Sequence, residues 1–330
     1  LPLDVYPHLP EGLLDLPAQR LVERLPQSTL IHVDGEREPE LFVSVLLHGN
    51  ETSGWEGVRQ YLREHPRPPR SLSLFIANVT AAAQQQRVLP GQQDFNRIWK
   101  GAAGHGAELA AALFTAIAGR NYFAAIDLHN NTGHNPFYSV LTELAEENLG
   151  LAYLFSDKAV FIREPDTTLT QAFAGRCPSV AFEVGPVGDS RCDERVYDFV
   201  GRALELDSVP VAAPGQLNLF ESLARVHIRD GVEFGFSGAD DNAPLLLTGG
   251  VEAVNFHELA AGTPFAAATR PLAELLCVLD SQHRDVTTEF FSQSGAEIML
   301  QRAVVPAMYT TDPFVVRQDC LCYFMQRLEI

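Results

Sequence analysis

The stretch Leu41–Glu51, LFVSVLLHGNE, decides how the rest of the chain is read. Leu41–Leu47 is almost continuously apolar. A strand with one wet face would alternate, so this one reads as buried on both faces. It runs without a spacer into His48-Gly49-Asn50-Glu51. A His and a Glu separated by two residues reach one cation if the turn after the strand is tight, and Gly49 permits such a turn. The order differs from the helical H-E-x-x-H motif, and a lone H-x-x-E arises by chance in many chains.

Working outward, Ser28–Val33 reads as a strand and Ser71–Val79 as another buried strand. Gly54–Glu64 has Trp55, Val58, Tyr61 and Leu62 on one side and predicts a helix. Gln84–Asn96 is polar, holds Pro90-Gly91 and reads as a loop. Glu108–Ala118 predicts a helix, Tyr122–Leu128 a strand that delivers His129, and Leu141–Leu149 a helix. Ser179–Val184 predicts a strand that delivers Glu183, and Arg191–Leu206 a helix. Strands alternating with helices imply an α/β fold with a mixed, largely parallel sheet flanked by helices. Ligands of such sheets bind beyond the carboxyl ends of the strands, where His48, His129 and Glu183 fall.

The opening to Pro26 is rich in Pro and Leu and is expected to wrap the surface. Asp207–Gln216 reads as a linker. After it, short β-like runs (Leu223–Ile228, Ala243–Leu247, Val251–Phe256, Glu297–Ala303 and Cys320–Leu328) predict a smaller β-rich domain. The expected division is a catalytic domain over 1–206 and a β-rich C-terminal domain over 216–330.

The chain has 330 residues, 46% hydrophobic, with a net charge of −18. That field repels nucleic acid and anionic membranes, and no apolar run is long enough to span a bilayer. The five cysteines fit no disulfide framework and read as reduced thiols; the first residues show no basic and apolar leader pattern. The expected setting is cytoplasmic. Homo-oligomerisation stays open.

His48, Glu51 and His129 form a catalytic zinc donor set, three protein ligands with a position left for water. Asp127, two residues before His129, is a candidate to orient a neighbouring group. Glu183 ends an apolar strand, and burial there raises a carboxyl pKa toward the range of a general base. Asn96 and Arg97, in Asp94-Phe95-Asn96-Arg97, offer an amide beside a guanidinium suited to a carboxylate. Arg87 lies upstream in the same loop, and Asn130 follows His129.

Together His48–Thr52, Gln86-Arg87, Asp94–Arg97, Asp127–Asn130 and Glu183–Pro186 resemble the succinylglutamate desuccinylase and aspartoacylase family, a branch of the zinc carboxypeptidase-like superfamily. The resemblance covers about residues 40–205. It implies a zinc-carboxypeptidase-like fold, one Zn2+ per chain on His48, Glu51 and His129, and hydrolysis of the amide bond of a small anionic substrate such as an N-acyl amino acid. It further implies Glu183 as catalytic acid/base, Arg87 polarising the scissile carbonyl, and Asn96 and Arg97 holding a substrate carboxylate. The family's additional substrate-binding Arg has no counterpart in Thr170–Ala174; Arg163 and Arg176 are the nearest, out of register. A metallocarboxypeptidase acting on short peptides is the alternative.

Overall fold

Segments with two apolar faces need a layer on either side, and the apolar strands lie in the middle of a layered sheet. The computed structural model describes residues 2–212, 215–237 and 243–329. It separates into two units. One runs to Asn131 and resumes over Phe137–Asn218; the other comprises Thr132–Pro136 and the chain from Leu219 onward.

The first unit contains strands β1 (Asp4–Tyr6), β2 (Thr29–Val33), β3 (Glu40–Val45), β4 (Leu72–Ile76), β5 (Tyr122–Asn131), β6 (Tyr138–Leu141), β7 (Lys158–Phe161) and β8 (Ser179–Pro186). Its order across the sheet is β1-β2-β4-β3-β5-β8-β6-β7. Neighbours are parallel except for β2 with β4 and β6 with β8. Every residue of β2, β3 and β4 is buried. The charged exception on β3, Glu40, is paired with Arg120 and accepts a hydrogen bond from Ser73.

Its helices are α1 (Ser53–Glu64), α2 (Val79–Ala83), α3 (Gly104–Ala116), α4 (Glu146–Phe155), α5 (Leu169–Ala172) and α6 (Ser190–Glu205). α1 buries Trp55, Val58, Tyr61 and Leu62, and its Gly54 lies against Val45 and Leu128. α3 buries Leu109 and Leu113 in a cluster with Phe42, Phe75, Ala125 and Phe173. Phe42 and Ala125 are register partners, and strand alternation puts them on the face opposite Val45 and Leu128. The sheet is therefore covered on both sides, as its sequence requires.

Several expectations are corrected. The strand from Ser71 stops at Ile76, because Asn78 caps α2 by accepting from the Ala81 amide at 3.2 Å. Leu141–Leu149 is not one helix: Tyr138–Leu141 is strand β6, and α4 begins at Glu146. The opening segment is more than surface wrapping, since Leu13, Leu21 and Leu25 are fully buried.

In the second unit, β9 (Asn218–Ile228) pairs with both β13 (Leu276–Asp280) and β17 (Cys322–Arg327), and β17 pairs with β16 (Val305–Ala307). A separate five-stranded sheet holds β10 (Phe234–Phe236), β11 (Leu245–Leu247), β12 (Pro264–Ala268), β15 (Glu297–Leu300) and β14 (Phe291–Ser294). Phe265, Phe291 and Phe324 pack at the centre of its core. Val251–Phe256 is not a strand; Val251–Val254 is a 3-10 turn entered through left-handed Gly250. All five cysteines are free thiols.

Candidate active site

Past Val45 the chain does not continue straight. Leu46 adopts a left-handed conformation, φ 59°, which costs a non-glycine residue roughly 1–2 kcal/mol. Two bonds hold it there: the Ala77 amide donates to Val45 O at 3.1 Å and the Asn78 amide to Leu46 O at 2.8 Å. The step turns the chain so that His48 and Glu51 share one side, and the Glu51 amide donates to His48 O at 3.1 Å. Gly49 is needed here for proximity and not for a positive φ. A Cβ would lie 2.3 Å from the Ala81 carbonyl carbon, inside the backbone of α2.

His129 comes from β5, one strand over from β3. Its Nδ1 is 2.8 Å from Glu51 Oε2, and His48 Nδ1 is 2.8 Å from Glu51 Oε1. One carboxylate thus faces the Nδ1 atoms of both rings. The three donor atoms lie within 4.8 Å of one another, and all three residues are buried. The opposite ring nitrogens are held from behind. His48 Nε2 is 3.0 Å from Asp94 Oδ1, and His129 Nε2 is 2.9 Å from Asp127 Oδ2. Asp127 and His129 are two apart on a strand and so share a face; Ser44, opposite Asp127 in register, donates to its other oxygen.

The electrostatics follow from this crowding. Burial alone would raise the Glu51 carboxyl, but the two imidazoles outweigh it and hold it far below the usual range. Burial would lower His129, yet Asp127 and Glu51 push it well up. A buried imidazole that favours positive charge between carboxylates lies where a divalent cation would replace the proton. Two imidazoles and a carboxylate, each imidazole oriented by a further carboxylate, is a donor set suited to zinc.

Glu183 is the register partner of His129 on β8. Its Oε2 is buried with no hydrogen-bond partner among the described residues. Burial raises its pKa, His129 opposes, and Glu51 adds repulsion, leaving it at about 8. Gly185, two residues on, has φ 119°, and the register of β5 with β8 shifts between His129 and Asn131.

Arg87 donates to Glu51 Oε1 at 3.3 Å and to Asp94 Oδ2 at 3.2 Å, beside the donor set. The Asn96 amide nitrogen is 3.4 Å from His129 Nε2, and its Oδ1 accepts from the Leu169 amide at 3.2 Å. Arg97 donates to Asn96 O at 2.8 Å and makes no salt bridge among the described residues. Asn130 is placed differently from a substrate ligand. It is 3% exposed; its Oδ1 accepts from the Ser53 amide, and its Nδ2 donates to Ser53 Oγ and Gly185 O. Its side chain ties the start of α1 to the end of β8. The role of Asp94 behind His48 was missed in the sequence, where the residue was visible only as the start of the Asp94–Arg97 motif.

Residues 37–199 match the model of the Succinylglutamate desuccinylase/Aspartoacylase catalytic domain. These residues belong to that family. The match places the chain among the hydrolases of amide bonds. No curated protein sequence matches the chain significantly. Among solved structures, murine aminoacylase 3 superposes with a TM-score of 0.62 at 17% identity, over 89% of this chain and 98% of that one. The succinylglutamate desuccinylase of Chromobacterium violaceum gives 0.54 at 15% identity, over 90% and 86%. The succinylglutamate desuccinylase/aspartoacylase of Rhodobacter sphaeroides gives 0.56 at 14%, over 90% and 88%. These likenesses show that the chain shares their fold. No helix among the described residues is long and apolar enough to cross a membrane.

Proposed function

We propose that the chain is a zinc-dependent hydrolase of the amide bond in a small carboxylate-bearing substrate, an N-acyl amino acid or close analogue. The observation that carries this is the single Glu51 carboxylate facing the Nδ1 atoms of His48 and His129, with Glu183 on the adjoining strand, its buried Oε2 without a hydrogen-bond partner among the described residues. His48, Glu51 and His129 would hold one zinc ion. When bound, zinc supplies a Lewis acid and lowers the pKa of water toward neutrality.

The protein's own groups do the rest. Glu183, with a pKa of about 8, is matched to proton exchange near neutral pH. It takes a proton from the attacking water as the new C–O bond forms. It returns that proton to the nitrogen as the C–N bond breaks, so acid and amine leave with no covalent enzyme intermediate. Arg87 donates to the oxygen of the scissile carbonyl, where charge develops; a well-placed donor there is worth roughly 3–4 kcal/mol. Asn96 and Arg97 hold the substrate carboxylate and fix the distance from that anchor to the scissile bond. Asn130 acts by positioning, through Gly185 and the start of α1.

The test is amine release from a panel of N-acyl amino acids and short peptides, with zinc-loaded and chelated protein side by side. The reading expects metal-dependent release from N-acyl amino acids. Release from peptides alone would replace it with a carboxypeptidase, and equal release after chelation would remove the metal from the account.

A further inference from the structure

Glu183 stands where its strand loses regular support from its neighbours. The register of β6 with β8 runs from Val140 opposite Ala181 to Tyr138 opposite Glu183, and that of β5 shifts between His129 and Asn131. Such irregularities re-aim the side chains beside them and disrupt the ladder of backbone bonds. The three carbonyls that follow Glu183 are held by side chains. Arg195 Nη1 donates to Val184 O at 2.5 Å, Asn130 Nδ2 to Gly185 O at 3.0 Å, and Cys192 Sγ to Pro186 O at 3.6 Å. Gly185 lets α6 come this close: a Cβ there would lie 2.8 Å from Cys192 Sγ and 3.3 Å from Arg195 Nη1.

Arg195 also reaches the next strand. Its guanidinium lies 4.0 Å from the centroid of the Phe137 ring, close enough for a cation–aromatic attraction. Phe137 directly precedes Tyr138, the register partner of Glu183. One α6 side chain therefore grips both segments that flank the Glu183 position, and it makes no salt bridge among the described residues. Alternation along β8 puts Glu183 on the face opposite Phe182 and Val184. Phe182 packs on Phe199 of α6 at 4.5 Å between ring centroids, so α6 lies behind the sheet as seen from the Glu183 carboxyl. We propose that Arg195 is a positioning residue: by holding the Val184 carbonyl and the Phe137 ring from behind the sheet, it sets where the Glu183 side chain stands. This rests on the acid–base reading of Glu183 given above. Asn96 and Arg97 belong to a different segment, so loosening the end of β8 lowers kcat and spares KM.

The test uses two full-length variants. Arg195→Met keeps an unbranched side chain but removes its donors and charge; Arg195→Lys restores a donor and a cation. Both are compared with the wild type, zinc-loaded, by amide hydrogen exchange and by steady-state kinetics on the best N-acyl amino acid. Circular dichroism and zinc content establish that each is folded and loaded. In Arg195→Met, exchange over residues 183–189 should quicken by about tenfold or more, the scale of one lost charge-assisted hydrogen bond, while β3 exchanges as before. Its kcat should fall by about tenfold or more with KM within about twofold of wild type, and Arg195→Lys should recover most of both changes. Added to Glu183→Gln, Arg195→Met should lower the residual rate no further, because a residue that acts through Glu183 has nothing left to place. Unchanged exchange over 183–189 would overturn the proposal. So would an unchanged kcat, a change confined to KM, or the same fractional loss in the Glu183→Gln background. A wild type without turnover would remove the hydrolase reading instead, and exchange would still decide whether Arg195 holds the strand end.

Discussion

Asp94 and Asp127 hold the Nε2 atoms of His48 and His129 while both Nδ1 atoms face Glu51. Such outer carboxylates fix ring orientation, and losing one typically costs 10–100-fold in metal affinity. Asp127→Asn should therefore weaken zinc by about that factor in a chelator competition; unchanged affinity would reduce Asp127 to a structural role. Glu183 makes a pH prediction for the metal-free protein. Its folded pKa of about 8 stands above the ordinary 4.5. The folded chain then keeps a proton that the unfolded chain releases as pH rises from about 4.5 to 8, so stability is full below that window and declines through it. Glu183→Gln removes this liability. It should match the wild type at pH 4 and exceed it at pH 8 by on the order of 4 kcal/mol in denaturant melts. Arg97 lacks a salt-bridge partner among the described residues and sits beside Asn96. Arg97→Ala should raise KM by about tenfold or more with a smaller change in kcat, as steady-state kinetics would show.

At the scale of elements, the site depends on how β3 ends. Gly49 lies against α2 so closely that any side chain would enter its backbone. Gly49→Ala should cost roughly 1–3 kcal/mol by equilibrium unfolding and disturb zinc binding with it. Much of this level was legible in the sequence. The run Leu41–Leu47 announced a doubly buried strand because both faces must be apolar there, and the alternation of strands and helices announced the α/β sheet. What escaped was short or decided by neighbours. Lys158–Phe161 is four residues long, too short for its periodicity to show, and Tyr138–Leu141 forms a strand because β7 and β8 flank it. Gly49 was read for the right place but the wrong reason, since contact with α2 is tertiary. Likewise His48, Glu51, His129 and Glu183 could be named from residue type and position, whereas Asp94 behind His48 required the loop to fold back across 46 positions.

At the scale of the whole molecule, a net charge of −18 should slow the approach of an anionic substrate, and Arg87 and Arg97 supply local positive charge against that field. Screening lengthens no bond but weakens the repulsion. kcat/KM for an anionic substrate should thus rise as salt increases from low ionic strength toward about 0.15 M, where the Debye length is near 8 Å. A neutral amide analogue would show no such rise. The central claim is that a metal held by His48, Glu51 and His129 works with Glu183 to cleave an amide. Its most direct test is the turnover of Glu183→Gln on the best N-acyl amino acid substrate, with zinc content determined on the same sample. The account predicts one zinc per chain and a rate lower by at least about a hundredfold, the scale of a lost general acid–base. A zinc-replete variant that turns over within a few-fold of wild type would contradict it.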